Sequence, residues 1–221
     1  MLRGLFVTGT DTGIGKTIVS AALLQRYRAV VPLRYWKPIQ TGIEQDDDTA
    51  EVMRLATCRE DEIFRSGVRL PLPVSPHLAA ARSGTRIDLD PMIERIEREP
   101  SAHRWIVEGA GGALVPINER ETIADLMAQL QLPVVVVVRT TLGTINHTLL
   151  TLETLRRRML QVAGVVMVGE PNADNREAIE RYGEIKVLGE MPYFNPLTSI
   201  QLTSWAATEL DRNGSLLELM R

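Results

Sequence analysis

The chain has 221 residues, of which 44% are hydrophobic and 24% charged, with a formal net charge of −3. This is the make-up of a globular protein rather than a disordered one, and its slight acidity argues against nucleic acid or an anionic membrane as the main partner. One cysteine, Cys58, excludes an internal disulfide or a cysteine-pair metal site, and no stretch reaches the ~20 apolar residues that span a bilayer.

In chain order, Leu5 to Thr8 is the first β-branched apolar run and predicts a buried strand. It leaves no room for a secretory leader, so a cytoplasmic protein is expected. GTDTGIGKT (residues 9–17) follows, and the apolar run Ile18 to Leu24 then predicts a helix. Leu33 to Trp36 is a weaker strand candidate. Residues 59–90, rich in Pro and Arg, predict a long loop or excursion. Asp90-Pro91 predicts a helix N-cap with Pro at the first helical position. Arg104 to Glu108, Pro133 to Val138 and Val162 to Val168 predict further buried strands, with Lys186 to Leu188 weaker. Between them, Ile123, Leu126, Met127 and Leu130 follow the helical i, i+3, i+4, i+7 rule, and Ile145, Leu149, Leu152 and Leu155 form a similar stripe. The alternation predicts an α/β fold: one doubly wound, mostly parallel sheet in a single domain over residues 1–221.

The strand–GTDTGIGKT–helix passage has the chemistry of a phosphate loop. Glycines let backbone N–H groups curl round phosphate oxygens, and the next helix presents its positive N-terminus. Lys16 would neutralise β- and γ-phosphates, and the Thr17 hydroxyl would ligate Mg²⁺. One position departs from the usual spacing: Thr10 stands where a glycine is expected, and Gly9 comes one place earlier. Such a site needs a carboxylate at another strand end, and RWIVEGAGG (104–112) offers Glu108 followed by glycines. DDD (46–48) offers a second acid or simply a solvated loop. In YWKPIQTG (35–42), Pro38 biases Lys37 to extended geometry. The residues alone leave Lys37 open as a second cation for a transferring phosphoryl group or a surface lysine beside a turn.

Taken together, VTGTDTGIGKT, KPIQTG, SPHLAA (75–80), VEGAGGALVPI (107–117) and LGTINHTLLTLE (142–153) appear in the order and approximate spacing of the dethiobiotin synthetases, which this sequence resembles from residue 5 to about 168 and more faintly through LGEMP (188–192). The resemblance implies a phosphate-loop fold of the nucleoside triphosphate hydrolase type. It implies an ATP-dependent cyclo-ligase of biotin biosynthesis that joins 7,8-diaminopelargonic acid and CO₂ (or bicarbonate) into dethiobiotin through a carbamate and a carbamic–phosphoric mixed anhydride. By resemblance, Thr12, Lys16 and Lys37 meet phosphate and the reacting carbamate, and Thr41, Gly111 and Gly112 lie beside the diamine. Gly13, Ile14, Gly15, Lys16, Thr17, Ile18, Glu108 and Gly111 surround the nucleotide. Thr17, Asp48 and Glu108 correspond to the magnesium site, with Asp47 the neighbouring alternative to Asp48. The family is homodimeric, and a partner's Leu142, Gly143, Thr144, Ile145 and Asn146 would hold the substrate carboxylate at a helix N-terminus.

Three departures stand out: Gly13 where some members carry glutamate, Arg139 in place of a small residue, and Val168 where well-known members read adenine with asparagine. The last leaves nucleoside triphosphates other than ATP open. No nucleophilic triad is required, and His77, His103, His147 and Cys58 are expected to be structural. Rival readings fit less well. A partitioning or membrane-cycling switch ATPase would carry lysine where Asp11 stands. A metal-cluster scaffold would need paired cysteines. An amidotransferase-linked synthetase of cobalamin assembly would need another domain.

Overall fold

The computed structural model describes residues 2–100 and 102–221. Among these, seven parallel strands form one sheet in the order β4 (Ile63–Phe64), β2 (Leu33–Trp36), β6 (Arg104–Gly112), β1 (Gly4–Gly9), β7 (Val134–Arg139), β8 (Val162–Val168) and β9 (Val187–Met191). A strand places successive side chains on opposite faces. Leu5 and Val7 of β1 therefore pack with Val19 and Leu23 of α1 (Lys16–Tyr27) and Leu202 of α8 (Ser199–Thr208), whereas Phe6 joins the cluster on the other face. That second cluster holds Leu126 and Met127 of α5 (Ile123–Leu130), Leu152 of α6 (Thr144–Arg157) and Ile179 of α7 (Ala173–Gly183). Two covered faces explain why the strand sequences are near-continuously apolar rather than alternating.

β1 lies between β6 and β7, so the chain turns in opposite directions on its two sides. Open α/β sheets bind ligands in the crevice beyond the strand ends at such a switch point. The loop after β1 opens there.

The predicted strands are found with ends moved by a few residues: β6 runs on to Gly112, and β9 spans Val187–Met191 rather than Lys186 to Leu188. Two expectations are corrected. The helix α4 (Leu89–Glu97) is capped by Asp88, whose side chain accepts from the Asp90 amide at 3.3 Å, so Asp90 and Pro91 are its second and third residues. Both acids have the right chemistry for the cap, and with Asp88 in that place Leu89 is the first helical residue and is buried. Residues 59–90 are not one long loop. They form a 3₁₀ turn (Glu60–Glu62), the edge strand β4, a short β5 (Val68–Leu70) paired with β3 (Ile39–Thr41), and α3 (Pro76–Arg82). These pieces are too short for a periodic signal, and they are fixed by docking on β2 and β3.

Candidate active site

The phosphate loop connects β1 to α1. Gly13 and Gly15 have φ of 66° and 95°, the region that glycine enters without steric cost. The displaced glycine also has a reason: a Cβ at Gly9 would lie 2.3 Å from Ile14 Cδ1. Ile14 folds back over Gly9 into the core, and Thr10 stays in the loop with its amide on the Val137 carbonyl at 3.1 Å.

Lys16 is buried at 7% exposure, not the exposed loop residue its position suggests, and its Nζ donates to the Asp11 carbonyl at 2.8 Å. Burial, with Lys37 nearby, pulls its pKa down to about 8 against the opposing pull of Glu108, Asp48 and Asp11. Lys37 is 3% exposed, which removes the surface-lysine reading. It follows β2, and its Nζ stands 2.6 Å from Asp48 Oδ2 and 2.8 Å from Glu108 Oε1, and donates to the Gly109 carbonyl at 3.0 Å. Burial opposes its charge, but Glu108 and Asp48 outweigh it and hold the Lys37 pKa above the usual lysine value. The Asp48 carboxyl is held below its usual range: burial acts against this, and Lys37 and the Thr17 hydroxyl overcome it.

The Thr17 hydroxyl lies 2.8 Å from Asp48 Oδ1 and 3.1 Å from Glu108 Oε1. Three elements thus meet: α1 brings Thr17, α2 (Asp48–Ala56) brings Asp48, and β6 brings Glu108. Asp47 does something else. It caps α2, accepting from the Ala50 amide at 3.0 Å. Glu108 is 1% exposed, and Tyr35 of β2 donates to its Oε2 at 2.9 Å. Tyr35 was missed from sequence; its place two residues before Lys37, on the alternate face from Trp36, is the one signal available.

Thr12, Gly15, Lys16, Thr17, Lys37, Thr41, Asp48, Glu108 and Gly111 line one cleft of about 510 Å³. Gln40, Ser75 and Pro76 line it too and were not anticipated. A Cβ at Gly111 would lie 3.5 Å from Thr12 Oγ1 and 2.8 Å from a Val115 methyl, so this glycine keeps the wall open. Gly112 closes β6 beside the loop, its Cβ position 3.3 Å from the Gly9 carbonyl. On the other side of the phosphate loop, Gly13, Ile14, Gly15, Ile18, Arg139 and Val168 line a smaller pocket of about 150 Å³ with Met191, Pro192 and Phe194. Val168 packs on Gly15, and Arg139 reaches the loop tip: its Nη2 donates to the Thr12 carbonyl at 3.2 Å and lies 3.6 Å from Asp11 Oδ2.

Leu142 to Asn146 are not brought into the cleft. They lead into and begin α6: Leu142, Gly143 and Asn146 are exposed, Ile145 is half-buried, and Thr144 is buried with its Oγ1 on the Arg139 carbonyl at 2.6 Å. His77 and His147 are exposed and His103 half-buried, none lining the cleft. Cys58 is half-buried, and burial pushes its thiol up to about 11. Among the described residues no helix is long and apolar enough to cross a membrane, and no group of three or more His, Cys, Asp or Glu is arranged to hold a metal ion.

A family model described as an AAA domain matches residues 3–201. An ATP-dependent dethiobiotin synthetase of Paramagnetospirillum magneticum is 53% identical over 190 residues, 86% of this chain and 88% of that protein. One of a Bradyrhizobium strain is 42% identical over 96% of this chain and 98% of its own. The bifunctional biotin-biosynthesis protein of Bordetella avium is 46% identical over 92% of this chain but only 42% of that longer one. Among solved structures, a ParA-family ATPase of Chlorobium tepidum superposes with a TM-score of 0.58 at 9% identity, covering 100% of this chain and 98% of its own. The MinC:MinD complex of Aquifex aeolicus gives 0.56 at 11%, over 97% of this chain and 93% of that one. At such identities these two speak for the phosphate-loop fold alone. Close sequence relatives over nearly the whole chain, joined to a phosphate loop that opens on a lysine–carboxylate cleft, lead to one conclusion: this chain belongs to the dethiobiotin synthetase family and is an ATP-dependent ligase-type enzyme.

Proposed function

We propose that the cleft closes the ureido ring of dethiobiotin from 7,8-diaminopelargonic acid, CO₂ and Mg·ATP. One amine adds to CO₂ and loses a proton, giving a carbamate. A carbamate oxygen takes the γ-phosphoryl group, ADP leaves, and a carbamic–phosphoric anhydride results. The second amine attacks the carbonyl carbon, phosphate departs with the bonding pair, and the amine's proton goes to solvent.

Every step gathers anions or brings neighbouring amines together, so positioned cations and backbone donors supply the catalysis. Lys16 serves the β- and γ-phosphates, and Lys37 the oxygens shared by carbamate and γ-phosphoryl group. The observation that carries this reading is the convergence of Lys16, Thr17, Lys37, Asp48 and Glu108 on one cleft. Thr12, Thr41, Gly111 and Gly112 would border the diamine, and Gly13 to Ile18 the nucleotide.

The donors Thr17, Asp48 and Glu108 fit a hard divalent cation, being all oxygen and converging within 3.1 Å of the Thr17 hydroxyl. Mg²⁺ bound there would neutralise phosphate charge during transfer. Until then Lys37 bridges both carboxylates and keeps them from facing each other as unpaired buried charges. The test of the activity is dethiobiotin formation from the diamine, bicarbonate and Mg·ATP, with ADP and phosphate released in equal amount; no product under these conditions would end the proposal.

The reading includes a cytoplasmic homodimer. The start of α6 has the unpaired N–H groups of a helix first turn beyond that of Thr144, which is given to the Thr141 carbonyl, and it does not line its own cleft, which suits a carboxylate held by the partner subunit. Mixing inactive Lys37→Ala chains with inactive Asn146→Ala chains should then regenerate some working sites. A fully active monomer in sedimentation would exclude the shared site.

A further inference from the structure

Residues 63–70 have no part in the reaction as derived above, yet they hold Lys37 from behind. β5 runs parallel to β3, with Arg69 opposite Gln40. The Val68 amide donates to the Pro38 carbonyl at 2.8 Å, and Arg69 Nη1 donates to the Lys37 carbonyl at 2.8 Å. Both carbonyls at the Lys37–Pro38 turn are thereby engaged by one short strand. Arg69 is half-buried, and among the described residues its guanidinium bonds to backbone carbonyls and forms no ion pair. That is costly placement for a charge unless the carbonyl it holds matters. Gly67 completes the contact. Its φ is +149°, and a Cβ there would lie 2.5 Å from the Pro38 carbonyl oxygen and 3.0 Å from that of Lys37.

We propose that Arg69 and Gly67 form a brace that fixes the Lys37 backbone, with Arg69 a positioning residue for ring closure. The proposal rests on the reading of Lys37 given above. A lysine side chain has four flexible bonds, and the ion pairs and the Gly109 bond of Lys37 all act at its tip, so its root must be held for Nζ to meet both carboxylates and substrate. Misplacement of a reacting group by about 1 Å costs on the order of a hundredfold in rate.

The test compares kcat, KM for ATP and thermal unfolding of the Mg·ATP-supplied enzyme for Arg69→Met, Arg69→Lys, Gly67→Ala and Lys37→Gln. Arg69→Met should lower kcat by about 10- to 100-fold while KM for ATP stays within about threefold. Arg69→Lys, which keeps one donor, should recover part of the loss. Gly67→Ala keeps the arginine but pushes on both carbonyls and on Arg69 Nη1, 3.0 Å from the new Cβ, and should lower kcat in the same way. Wild-type kcat in Arg69→Met or Gly67→Ala, with Lys37→Gln inactive, would overturn the brace alone. So would an Arg69→Lys as impaired as Arg69→Met with a matching fall in melting temperature, the mark of a merely structural arginine. Wild-type turnover in Lys37→Gln would instead sink the reading of the cleft.

Discussion

The two sides of the phosphate loop are built on opposite principles. On one side, Lys16, Lys37, Asp48 and Glu108 are charged and mostly buried; Lys37 and Thr17 are tied to both carboxylates at hydrogen-bond distance, and Lys16 donates to the Asp11 carbonyl. On the other, Ile14, Ile18, Val168, Met191 and Phe194 form an apolar wall whose one charged residue, Arg139, is engaged by the loop tip. Desolvated charges tolerate little change, because losing one partner of a buried pair costs about 3–5 kcal/mol. Apolar walls recognise shape and tolerate substitution. Under the proposed function, the charged side would carry the chemistry, and the apolar side would leave the identity of the base to weaker contacts.

The largest effect that would test this contrast is expected from Lys16→Ala, which should lower turnover by at least about 10²- to 10³-fold. The fold should survive. Because burial lowers the Lys16 pKa to about 8, its charge opposes folding at neutral pH, and the variant should melt at or above the wild-type temperature. Near-normal turnover would remove Lys16 from the site. Next in size, Glu108→Gln should raise the Mg²⁺ concentration needed for half-maximal turnover by at least about tenfold, since an amide is a poorer ligand for a hard cation. An unchanged magnesium titration would discard Glu108 as a ligand.

The pH profile comes third. Lys16 loses its proton as pH rises through about 8 in the free enzyme, so kcat/KM for ATP should fall by up to about tenfold per pH unit above that point. Bound phosphates restore the charge, and kcat should stay flatter. The stability term has the opposite sign. Between about 8 and the unfolded value of 10.5, the unfolded chain binds the extra proton, so this lysine's contribution to stability rises with pH. A flat kcat/KM between pH 7 and 9 would show that ATP capture does not depend on a Lys16 charge lost near pH 8.

On the apolar side a smaller effect is expected. Valine at position 168 offers no hydrogen bond to a base, and the Gly169 amide is already given to the Met191 carbonyl at 2.9 Å. Losing such contacts removes roughly 1–3 kcal/mol of discrimination, so CTP or GTP should support turnover within about tenfold of ATP. A preference for ATP above about a thousandfold, measured as kcat/KM at saturating diamine and bicarbonate, would show that another group reads adenine. The smallest effect separates two neighbouring acids. Asp47→Ala removes the cap of α2 and should cost about 1 kcal/mol of stability in denaturant titration, with the magnesium requirement unchanged.

Much of the candidate cleft was legible because its parts are local. A glycine-rich turn between an apolar strand and a helix is a complete signal in nine residues, and Glu108 is marked by the strand before it and the glycines after. The excursion at 59–90 was not legible, since β4 and β5 have two and three residues, too few for a period to emerge. Arg69 carries no motif at all; its meaning comes from the Lys37 carbonyl, 32 positions earlier.

Sequence alone marked the long strands β1, β2, β6, β7, β8 and β9, the helices α1, α4, α5 and α6, the phosphate loop and the residue types of the candidate site. Those follow from backbone period, apolar patterning and turn chemistry, all set within a few residues. Tertiary structure alone decided that Lys16 and Lys37 are buried, that Asp48 rather than Asp47 faces Thr17, and that Glu108, 71 positions after Lys37, is its partner. Desolvation and ion pairing depend on what packs alongside, and the neighbours that bury these charges come from strands far apart in the chain.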